Sequence, residues 1–177
     1  MTPAEINNLA IEVHALNRKW WPENVLDRPI SQIRILINSE IIECMEGERK
    51  DLMDDKLPHR KMAEVEMADT AILVLDVLGA HGYHYKTKNT QEDAWCDFHF
   101  AATLKEDYLS TICSVLYHPE KFGYADYYFS NILFLVIEYC KHFGYDLWGA
   151  VREKLEYNKT RYDHTDEGRA AAGGKKW

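Results

Sequence analysis

Four acidic residues carry the clearest chemistry in this chain. Glu40 and Glu43 sit in S-E-I-I-E-C-M-E, and Glu66 and Asp69 in E-V-E-M-A-D-T-A-I. Each pair is spaced i, i+3, so on a helix both carboxylates project from one face. Both pairs are embedded in apolar helical sequence, where a carboxylate is costly to bury unless something positive meets it. Four converging anions repel one another unless a cation joins them. All-oxygen donors favour a hard divalent ion, Mg²⁺ with Mn²⁺ as a possible substitute.

The elements that must position these acids read as helices. Thr2-Pro3-Ala4-Glu5 is a capping box with Pro at the first helical position, so a first helix runs to about Lys19 with Ile6, Leu9, Ala10, Val13 and Leu16 on one side. Trp20 to Arg28 reads as a loop. Pro29 opens a second helix, to about Arg49, and Pro58 a third, ending near Gly79 or Gly82. Thr90, with Asp93 three residues on, caps a fourth that reaches Tyr117 before Pro119 and Gly123. A fifth spans about Ala125 to Phe143 with Gly144 as its stop. Asp146 caps a sixth, to about Arg161. The expected fold is all-α, an antiparallel bundle of about six helices. The chain reads as one domain over 1–177, with a metal-binding half at 1–85, a second half at 90–165 and a polar tail at 166–177, extended or mobile.

Twenty-two residues separate Glu43 from Glu66. That is enough to end one helix, cross over and start an antiparallel neighbour, which brings the two pairs to one height. A faint internal repeat runs at an offset of 62: Ile72-Leu73-Val74-Leu75-Asp76 … His81-Gly82-Tyr83 resembles Phe134-Leu135-Val136-Ile137-Glu138 … Phe143-Gly144-Tyr145. At that offset Glu66 falls on Tyr128 and Asp69 on Asn131. Either the second copy has lost its acids, or two core helices merely end alike.

The chain has 177 residues, is 46% hydrophobic and carries a net charge of −8, which disfavours a broad nucleic-acid-binding surface. Cys44, Cys96, Cys113 and Cys140 lie far apart with no zinc spacing and read as reduced core residues of a cytoplasmic protein. The start M-T-P-A-E-I-N-N lacks the features of a signal peptide, and the apolar runs are too short to span a bilayer. Glu-x-x-His, which di-iron bundles use, occurs nowhere in the chain. Hard-metal, phosphate-directed chemistry remains.

Lys154, Asn158 and Arg161, at i, i+4 and i+7, share one face of the sixth helix as expected here. The two cations suit phosphate oxygens, and Asn158 suits phosphate or sugar. His14, Asn17 and Trp20 near the end of the first helix are candidates for a base-stacking pocket, and Asn38 for the sugar or base. Asp76, two turns past Asp69, is either a further ligand or a helix-pairing residue. Lys175 and Lys176 either close over phosphate or belong to a free tail.

The E-x-x-E, spacer, E-x-x-D pattern, together with K-x-x-x-N-x-x-R, resembles the MazG-like nucleoside triphosphate pyrophosphohydrolases, relatives of the dimeric dUTPases. The resemblance runs from I-N-S-E-I-I-E-C-M-E-G-E-R-K-D-L through A-E-V-E-M-A-D and resumes at G-Y-D-L-W-G-A-V-R-E-K-L-E-Y-N-K-T-R-Y-D-H. It implies that Glu40, Glu43, Glu66 and Asp69 hold Mg²⁺, and that a nucleoside triphosphate is cut to the monophosphate plus pyrophosphate. Glu43 is the candidate to orient or deprotonate the attacking water. It also implies a homodimer or homotetramer. The chain departs from shorter relatives by about one extra helical pair between Gly82 and Gly144. The two adjacent tryptophans favour a purine deoxynucleotide such as dGTP. A dUTPase-like hydrolase is the alternative, with His14 where those enzymes carry Gln. A non-catalytic helical interaction module is the other alternative.

Overall fold

The computed structural model describes residues 1–21, 23–82, 85, 104–117 and 125–174. Over these the chain is helical: α1 Pro3–Trp20, α2 Ile30–Lys50, α3 Met62–His81, α4 Lys105–Tyr117, α5 Ala125–Phe143, α6 Leu147–Asn158 and a short α7 Asp166–Ala170. The described residues contain no β-strand, only an isolated bridge between Met53 and Lys61. None of their helices is long and apolar enough to cross a membrane. The expected Thr90 cap, the first part of the fourth helix, Cys96, Pro119, Gly123, Tyr83, Lys175 and Lys176 lie outside the described residues.

The local signals act where the sequence places them. Thr2 accepts from the Glu5 amide and Glu5 reaches back to the Thr2 amide, which satisfies two of the orphan donors at the start of α1. Gly82 and Gly144 follow α3 and α5 with φ of 65° and 77°, the left-handed conformation that ends a helix cheaply only at glycine. Asp146 caps α6 by accepting from the Gly149 amide.

α3 is the central helix. Fourteen of its twenty residues are buried, from Ala63 to Leu78, whereas α1 buries only the stripe Ile6, Leu9, Ala10 and Val13. A helix apolar nearly all round has neighbours on every side, and α3 packs against α1, α2, α5 and α6. One apolar cluster runs through α1 to α6. α1 and α2 run antiparallel to α3: Ala10 lies by Gly79 and His14 by Asp76, while Gly47 lies by Ala63 and Glu43 by Glu66. α6 runs in the same sense as α3, since Glu64 meets the first turn of α6 and Asp69 meets Lys154 further along.

Two close approaches set these spacings. A Cβ on Gly79 would stand 2.2 Å from the Ala10 carbonyl oxygen, and one on Gly47 would stand 2.9 Å from the Ala63 amide nitrogen. On the other side of the core, Glu48 of α2 accepts from Tyr139 and Tyr145 (2.7 Å for Tyr145) and pairs with Lys105, tying α2 to α4, α5 and the turn before α6. Arg60 makes a bidentate bond to Glu153 (3.0 and 2.8 Å) and a 2.8 Å bond to Glu64, clamping the start of α3 to α6.

Three expectations are corrected. Pro58 does not open the third helix. Asp54 instead accepts from the Lys56 and Leu57 amides at 2.9 and 2.6 Å, forming a side-chain turn that delays α3 to Met62. α6 stops at Asn158, so Arg161 sits in extended backbone (φ −74°, ψ 125°) and not on the helix face. The polar tail is not extended: Thr165 caps α7, and Arg169 bonds the Trp20 carbonyl and stacks 5.0 Å from the centre of the Trp21 ring.

Candidate metal centre

α2 and α3 lie side by side because Gly47 lets their backbones approach, and their acids meet in consequence. Glu40, Glu43 and Glu66 each offer a carboxylate oxygen, and these oxygens all lie within 4.8 Å of one another. Glu66 is 2% exposed, Glu40 is partly buried, and Glu43 stands at the exposed rim. Glu40 and Glu66 face each other closely enough to titrate together, and both are raised.

Asp69 is handled differently. Its Oδ2 lies 2.5 Å from Nζ of Lys154, a side chain only 1% exposed on α6. Asn158, one turn further along α6, is buried with its Oδ1 unbonded within the chain. Burial is the largest cause that pushes Glu40, Glu66 and Asp69 above the ordinary carboxylate range. The neighbouring acids push Glu40 and Glu66 further, and Lys154 pulls all three back.

Arg161 donates to Asp163 at 2.9 and 2.6 Å, and its charge still lowers Asp69 from beyond the end of α6. Lys56 also bears on the acids. Burial alone would lower its pKa, but its Nζ pairs with Asp55 at 3.3 Å, which raises it, with Glu66 adding to the rise, and its charge favours ionised Asp69. The only signal in the sequence was the position of D-D-K-L directly before the acidic helix.

The residues proposed for the base separate into two places. His14 Nδ1 lies 2.7 Å from one oxygen of Asp76 and Asn17 donates to the other at 2.9 Å, so Asp76 pairs α3 with α1. These three, with Trp21, Arg18 and Arg28, line much of a shallow, closed-up surface groove. Trp20 does not line it: its ring packs on His164 at 5.0 Å, and its neighbour Trp21 takes the place expected for it. Asn38 is elsewhere, accepting from Cys113 Sγ of α4 at 3.6 Å. Cys44 and Cys140 are buried free thiols, and Cys113 is a partly buried one. Asp76 is seven residues past Asp69, about 10 Å along α3 at the rise of an α-helix.

The donor set fits a hard divalent cation. It is all oxygen, it converges, and it has one fully buried lysine set against four acids. Comparison of the chain with protein-family models, curated proteins and solved structures finds no match in any of the three.

Proposed function

We propose that this chain is an Mg²⁺-dependent nucleoside triphosphate pyrophosphohydrolase. The observation that carries the reading is the convergence of Glu40, Glu43 and Glu66 beside Asp69 between two packed helices. Glu40, Glu43 and Glu66 would hold the cation, with Asp69 as the fourth acid beside them. When bound, the ion would neutralise phosphate charge and make water a better nucleophile.

The chain's own groups divide the remaining work. Glu43, at the exposed rim, would use the carboxylate oxygen not held by the cation to accept the proton of the attacking water. Lys56 and Arg161 put positive charge near the acids, where phosphate oxygens would need it. The groove of His14, Asn17, Asp76 and Trp21 would have to open for the base to lie against the indole face. Its distance along α3, about 10 Å, suits a nucleotide laid lengthwise with its phosphates at the acids. Ile35 and Ile42, half exposed on one stripe of α2, support the self-association that the family resemblance implies.

The test is pyrophosphate release from a panel of dGTP, dATP, dCTP, dTTP and dUTP with Mg²⁺ or with chelator. Metal-dependent release of pyrophosphate is the expected result, and a preference for dUTP would replace the purine preference by the dUTPase-like one. Absence of turnover on every member, with the fold intact, would sink the enzyme reading in favour of a helical interaction module.

A further inference from the structure

The groove at the end of α1 is filled by a side chain from its own wall. Arg28 lines it, and the Arg28 guanidinium lies over the Trp21 ring, 5.5 Å from the centre. The Nε of Arg28 is buried without a hydrogen-bond partner. A buried donor without an acceptor is uncommon and calls for a reason. Arg169 also lies over Trp21, but it is tied down, donating to the Trp20 and His164 carbonyls and to Asp166. Asp76 is likewise occupied, one oxygen meeting His14 and the other accepting from Asn17. Arg28 combines a ring beneath it with a donor to give. Its backbone is held, with the amide on the Val25 carbonyl at 3.3 Å and Pro29 next in the chain, so the side chain alone has to swing.

We infer that Arg28 selects the base: it covers Trp21 until a stacking ring displaces it, and then reads guanine by donating to O6 and N7. The inference rests on the base-site reading above and names the base. A cation over an indole is a modest contact, and a stacked base at least matches it, so the exchange is not costly. The displaced guanidinium needs acceptors. Its planar fork of N–H donors fits two acceptors side by side, which guanine presents at O6 and N7. Adenine presents one acceptor and one donor at the same edge, and that donor would face an N–H of the arginine. Arg28 is on this account a specificity-determining residue, and the acids at the other end of the nucleotide play no part in the choice.

The experiment is calorimetric titration of the full chain with dGMP, dAMP and 7-deaza-dGMP, which carries a carbon in place of N7. Monophosphates read the base without turnover. The parent protein should bind dGMP about tenfold tighter than either of the others. R28Q removes the fork and should bring the three ligands within about twofold of one another. R28K keeps the charge without the fork and should lose the preference too, and it carries the test if R28Q does not fold. Equal affinities in the parent, a preference that survives in R28Q or R28K, or no binding of any of the three by the parent would overturn the inference. The enzyme reading is judged apart from it by pyrophosphate release. Release without a guanine preference would keep that reading and sink this one. Guanine-selective binding that R28Q abolishes, with no release from any triphosphate, would do the reverse.

Discussion

Glu48 and Glu66 are both glutamates turned into the packing between helices, and the fold treats them in opposite ways. Glu48 faces three donors: the Lys105 ammonium and the hydroxyls of Tyr139 and Tyr145. Burial alone would raise it, yet those donors leave it below the ordinary carboxylate value. Glu66 faces other acids and is pushed upward by burial and by Asp69. A charge satisfied from within the protein is structural. A charge opposed from within the protein is waiting for something from outside.

The widest break in this comparison is functional. Under the proposed activity, E66Q should lower metal-dependent pyrophosphate release by roughly a thousandfold, the equivalent of several kcal/mol of lost charge stabilisation. E48Q should leave the catalytic constants nearly unchanged, as steady-state assays of the folded fraction would read. If E48Q abolished turnover and E66Q did not, the two roles would be reversed.

Stability should separate them next. E48Q leaves Lys105 and two tyrosine hydroxyls poorly matched and should cost about 2–3 kcal/mol in urea unfolding. E66Q in chelator should be neutral or stabilising, because it removes an opposed acid. Both variants destabilised alike would erase the distinction.

A pH series sharpens it further. Glu40 and Glu66 have folded-state values raised above 4.5, so the stability they contribute is fully present below 4.5 and is lost as pH rises through the raised values. Metal-free protein should therefore melt at falling temperature from mildly acidic to alkaline pH, and Mg²⁺ should flatten that limb. A melting temperature independent of pH in chelator would contradict the opposed-acid picture.

The smallest effect lies at the Arg60 clamp. Glu153 is lowered to about 2 by its bonds to Arg60, so its contribution is present above 4.5 and is lost as pH falls through about 2. Because the Glu153 side chain is 40% exposed, solvent screens much of this. E153Q should only soften the acid limb of the melting curve, and an unaltered limb would show that the clamp adds nothing measurable.

Much of this was legible in the residues themselves, and for identifiable reasons. The Thr2–Glu5 box, the Gly82 and Gly144 stops and the i, i+3 acids depend on neighbours within one turn, so the all-α class and the α2/α3 meeting followed from local rules. The misreadings are non-local or side-chain driven. Pro58 resembles a helix opener until Asp54 is seen capturing two amides. Lys154 and Arg161 share a face in the sequence pattern, until α6 is seen ending at Asn158 and leaving Arg161 in extended backbone. Trp20 and Trp21 are adjacent, and only the docking of Arg169 and His164 decides which ring faces the groove.

The two internal glycines of α2 and α3 act as independent width gauges. Gly47, one turn past Glu43, sets how far α2 stands from α3 at the acids. Gly79, one turn past Asp76, sets how far α1 stands from α3 at the groove. One methyl group at either position meets backbone, which cannot swing aside, so the helix itself must shift. Through one glycine, drift in the sequence would retune the gap among the acids, and through the other the gap beside Trp21, each without disturbing its counterpart.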